Sequence, residues 1–69
     1  MIIGRSEILL DSAFGDVMVI ISYDLRKDLP YKIEFNFAKH GNYSYQALTR
    51  YRITDIKTKL NEIISTFAT

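Results

Sequence analysis

The sequence predicts a small α+β fold: an antiparallel meander of three to four strands with one C-terminal amphipathic helix packed on one face. Residues 31–37, Tyr-Lys-Ile-Glu-Phe-Asn-Phe, alternate apolar and polar without interruption, the pattern of a strand with one buried and one wet face. Residues 17–23 are apolar on both sides, which suits a central strand. From Thr54 onward, Ile56, Leu60, Ile63, Ile64 and Phe67 recur at helical spacing.

Each element follows from local chemistry. Glu7 to Asp11 reads as a short first strand with Ile8 and Leu10 on one face, shared with Ile2, and Glu7 and Asp11 on the other. Ser12-Ala13-Phe14-Gly15-Asp16 is a turn in which Gly15 can take positive φ. The second strand, Val17 to Tyr23, puts Val17, Val19, Ile21 and Tyr23 on one side and Met18, Ile20 and Ser22 on the other. Asp24 to Pro30 has the charge and terminal proline of an exposed connection, so residues 17–23 and 31–37 form a hairpin. Setting Tyr23 opposite Tyr31 pairs Ile21 with Ile33, Val19 with Phe35 and Val17 with Phe37, all apolar. The reverse face then pairs Ser22 with Lys32, Ile20 with Glu34 and Met18 with Asn36.

Ala38 to Asn42 reads as a hairpin loop, with His40 an ordinary solvated loop residue beside Gly41. Tyr43 to Ile53 then continues as a fourth strand, with Phe37 opposite Tyr43. The same stretch also fits a helix, because Tyr45, Leu48, Ile53, Ile56, Leu60, Ile63 and Phe67 share one arc at 3.6 residues per turn. Tyr, Thr and Ile dominate residues 43–54, and their preference for extended structure favours the strand. In the terminal helix, Thr54 or Asp55 caps the first amides, and Asp55 and Lys59 stand at favourable i,i+4 spacing.

Size and composition set outer limits. With 69 residues, no repeat and few glycines or prolines, the chain reads as a single domain over residues 1–69. A core this small gives a thin stability margin, and the absence of cysteine removes disulfide or thiolate-metal bracing, so homodimerisation is one route to support. The longest unbroken apolar run, Val17 to Ile21, is five residues, against roughly 20 for a membrane span. A cytoplasmic protein with no membrane partner is expected. Charge is uneven: residues 1–34 carry four basic and six acidic side chains, residues 35–69 five and two.

The inventory of reactive groups points away from catalysis. One histidine and no cysteine cannot build a Cys-His pair or a multi-histidine metal site within one chain. No glycine-rich phosphate loop occurs, and the eight carboxylates are scattered among turns and polar faces. No enzymatic activity, cofactor, metal or small-molecule substrate is expected. What remains is surface. The face opposite the helix presents Met18, Ile20 and Leu48 among Lys32, Glu34 and Gln46, an apolar centre with a polar rim suited to protein binding.

In size, lack of cysteine and lack of any chemical motif, the chain resembles the compact inhibitors with which phages and mobile elements block bacterial defence or host proteins. That resemblance implies action by occluding a partner's surface. Two other readings stay open: a nucleic-acid-binding or regulatory protein using the basic segment 39–59, with Lys39, Arg50, Arg52 and Lys57 as contacts, and a structural assembly subunit.

Overall fold

The computed structural model describes residues 2–67 and shows a four-stranded antiparallel meander with one helix on one face. The strands are β1 (Ile3–Ser12), β2 (Gly15–Asp24), β3 (Tyr31–Phe37) and β4 (Gly41–Ala47), and the helix α1 is Ile53–Phe67. Sheet order follows chain order, which places β2 between β1 and β3. No helix among the described residues is long and apolar enough to cross a membrane.

The β2–β3 register matches the hydrophobic pattern residue for residue: Val17 faces Phe37, Val19 faces Phe35, Ile21 faces Ile33 and Tyr23 faces Tyr31. Val17, Val19, Ile33, Phe35 and Phe37 are buried beneath Ile56, Leu60 and Ile63 of α1, with Tyr43 and Tyr45 of β4 packed beside them. The helix therefore covers β2 to β4. Ile8 of β1 shares that face yet stays 40% exposed, because the helix does not reach it.

Three expectations change. The first strand begins at Ile3, not Glu7, because Gly4 and Ile3 pair with Tyr23 and Asp24. The fourth strand ends at Ala47 rather than Ile53, and residues 48–52 form the link to a helix that starts at Ile53. Its register also moves by two residues, so Tyr43 stands opposite Phe35 and Gly41 opposite Phe37. Gly41 adopts φ 92°, a conformation that lets three residues close the turn where five were expected. A shift of two keeps every side chain on its expected face, and the Phe37 and Tyr43 rings still meet edge to face at 5.9 Å.

Local contacts at the ends refine the picture. Ser12 Oγ donates to the Gly15 carbonyl at 2.7 Å and accepts from Phe14 N–H at 3.1 Å, with Gly15 at φ 96°. Asp55 caps α1 by accepting from the backbone N–H of Arg52 at 2.9 Å, so Arg52 rather than Thr54 occupies the cap position. Lys59 pairs with Glu62 at 3.5 Å and lies 4.9 Å above the Tyr45 ring, instead of bridging to Asp55. His40 is more than a solvated loop residue: its ring stacks on Phe67 at 4.4 Å and meets Phe14 edge to face at 5.5 Å. These contacts tie the β1–β2 and β3–β4 turns to the end of the helix.

Candidate functional site

The helix-free face is a grid fixed by strand register. One row runs Arg5, Ser22, Lys32, Gln46; the next runs Glu7, Ile20, Glu34, Ser44; the third runs Leu9, Met18, Asn36, Asn42. Five of the six residues read from the sequence as a contact surface, Met18, Ile20, Lys32, Glu34 and Gln46, thus share one face. Leu48 does not join them. It lies past the end of β4, 70% exposed in the link to α1.

Leu9, on the opposite edge strand, supplies the third apolar side chain that Leu48 was expected to supply. It sits directly opposite Met18 and is 60% exposed, extending the apolar stripe to the edge strand. Its position was available in the sequence, since it alternates with Glu7 and Asp11 and must share their face. Two ion pairs border the stripe: Arg5 to Glu7 at 2.8 Å and Lys32 to Glu34 at 3.0 Å. Beside Met18, the Oδ1 atom of Asn36 is buried and accepts no hydrogen bond from the described residues.

The β1 side also carries an apolar surface on the helix face. A groove of about 700 Å³ runs between β1, β2 and the start of α1, walled by Ile8, Ile21, Tyr23, Tyr51 and Ile53, with Arg50 at its rim. The tip of Tyr23 lies over Gly4: a Cβ there would overlap the ring, whose hydroxyl stands 2.8 Å from that point. The glycine thus makes room for the aromatic wall. Burial pushes the Tyr51 hydroxyl up from its ordinary titration range, and the nearby Asp55 carboxylate adds to the shift.

The basic segment does not form one surface. Arg50 and Arg52 lie in the β4–α1 link, Lys57 on the exposed side of α1, and Lys39 in the β3–β4 turn. The turn and the link sit at opposite ends of β3, about 20 Å apart. Tyr43 and Tyr45 pack against the core, and of the basic segment Lys59 lies over the Tyr45 ring. Among the described residues no three histidine, aspartate or glutamate side chains converge. Compared with protein-family models, curated proteins and solved structures, the chain matches none.

Proposed function

We propose that this protein is a noncatalytic binding module that acts by covering a surface of another protein, with the helix-free face around Leu9, Met18 and Ile20 as its contact. The stripe formed by these three side chains, bordered by the Arg5–Glu7 and Lys32–Glu34 pairs, is the observation that carries the reading. Its chemistry suits a partner that offers an apolar patch ringed by charges of both signs. The likeness in size and build to phage-type inhibitors favours a bacterial defence or host protein as the target.

The test is a comparison of affinity capture by the wild type and by a Met18→Lys, Ile20→Lys double variant, with Lys57→Glu as a remote control. Circular dichroism verifies that each variant folds. A partner held by the wild type and by Lys57→Glu, but released by the double variant, supports the reading. Capture that survives in the double variant overturns it, as does salt-sensitive retention of nucleic acid lost in an Arg50→Ala, Arg52→Ala variant.

A further inference from the structure

We infer that the open edge of β1 pairs with β1 of a second copy of this chain, in one register, to give a continuous eight-stranded sheet. The inference concerns the backbone edge of β1 rather than the helix-free face; Arg5, Glu7 and Leu9 belong to both, but the pairing and its test do not depend on the reading above.

The two edges of the sheet differ. β4 presents Asn42, Ser44 and Gln46 on its helix-free side, and its tyrosines are packed on the core. At β1, Ile2, Ile3, Ile8 and Leu9 are all exposed, on both faces of a ten-residue strand. A long apolar edge with unpaired backbone groups is a template for another strand.

Backbone phase restricts how a second β1 can add. Leu25 N–H donates to the Ile2 carbonyl at 2.9 Å, so the even-numbered residues of β1 direct their backbone groups toward β2. The Asp24 N–H to Pro30 carbonyl bond, at 2.9 Å on the other side of β2, has the complementary phase. Ile3, Arg5, Glu7 and Leu9 therefore turn their N–H and C=O groups to the open edge. Antiparallel pairing must set these odd-numbered residues opposite one another, which also keeps both helices on the same side of the joined sheet.

Charge then selects among the permitted registers. With Ser6 on the two-fold axis, Arg5 stands opposite Glu7 of the second copy, Glu7 opposite Arg5, and Ile3 opposite Leu9. The four side chains Arg5, Glu7 and their copies form a square of alternating sign, each already paired along its own strand. Slipping by one permitted step in one direction puts Glu7 opposite Glu7; in the other it puts Arg5 opposite Arg5. Of the next registers, Ile8 on the axis sets Glu7 against Leu9, and Gly4 on the axis sets Arg5 against Ile3. On the helix face, the selected register places Ile2 beside Leu10 and Ile8 beside Gly4, where the Tyr23 ring fills the space that a side chain would occupy. All four exposed apolar residues at β1 thereby gain an apolar neighbour.

The joined sheet also merges the two grooves. Each lies on the β1 side of its helix, so the pair opens into one trough floored by Ser6 and Ile8 of both copies.

Sedimentation equilibrium across a dilution series, combined with charge exchange, tests the register. The wild type is expected to be dimeric; Arg5→Glu, which creates two like-charge contacts per dimer, weakens association about tenfold. The Arg5→Glu, Glu7→Arg double variant restores it. Because the chain has no cysteine, Ser6→Cys provides a second readout: its sulfurs meet across the axis and form an intermolecular disulfide under mild oxidation, whereas Ile8→Cys cross-links slowly. A monomeric wild type, failure of the double exchange to restore association, or Ile8→Cys cross-linking as readily as Ser6→Cys would overturn the inference.

Discussion

Asp11 stands directly opposite Asp16 at the closed end of the β1–β2 hairpin. Asp11, through a shared hydrogen bond and then through its charge, raises the Asp16 carboxyl above its ordinary range. A carboxyl raised on folding opposes folding once it ionises, and the opposition is relieved as pH falls through its folded value. Asp11→Asn is therefore expected to raise the melting temperature at neutral pH, with the gain shrinking to nothing below the ordinary carboxylate range. Thermal melts of both proteins from pH 7 to pH 3, roughly spanning carboxylate titration, check this.

Asp24 shows the opposite sign. Its hydrogen bonds from Arg26, two from the guanidinium at 2.9 Å and one from the backbone at 3.1 Å, hold its carboxyl at about 2. The stabilisation is present above the unfolded carboxylate range and is lost as pH falls toward about 2. Arg26→Ala is expected to bring the Asp24 titration back toward 3.8, the ordinary value, as followed by carboxyl NMR shifts.

The Gly4 position ties side-chain shape to the groove. Gly4→Ala displaces the tip of the Tyr23 ring and loosens its 6.2 Å contact with Tyr31. A loss of about 1 kcal/mol is expected, despite the intrinsic preference of strands for alanine over glycine. In a Tyr23→Ala background the same change is expected to be neutral or stabilising. A denaturation double-mutant cycle measures the difference.

Asn36, between Met18 and Asn42 on the helix-free face, buries an acceptor to which none of the described residues donates. Asn36→Val removes that acceptor and adds a residue suited to strands, with an expected gain of about 1 kcal/mol in urea unfolding. An unchanged or lower midpoint refutes the assignment.

The helix depends on Asp55 for its first turn. Asp55→Ala removes the bond to Arg52 N–H and the negative charge at the positive end of the helix, costing about 1 kcal/mol. The loss should appear in the melting of the helical signal by circular dichroism.

The sequence makes most of the sheet legible because β2 and β3 alternate cleanly and the Asp24–Pro30 connection lies between them. It conceals the start of β1, where Gly4 interrupts the apolar pattern for a reason visible only once Tyr23 of the neighbouring strand lies over it. The fourth strand is overextended in sequence because Tyr51 and Ile53 suit a strand as well as a link or a helix start; Tyr51 packs partly against the core, whereas Ile53 opens α1 and stays 70% exposed. The contact face follows the same division. Met18, Ile20, Lys32, Glu34 and Gln46 emerge from alternation alone, whereas Leu48 falls off the face with the end of β4.

The meander order also bears on synthesis. Since every strand joins its predecessor, hairpins can assemble in turn as the chain leaves the ribosome, without waiting for distant partners. The roof over Phe35 and Phe37 follows the sheet in chain order, however, because Leu60, Ile63 and Phe67 lie beyond β4. Until they are released, the nascent sheet has its greasiest rows bare, and the interval before helix docking is when this polypeptide is most vulnerable to sticking to its neighbours.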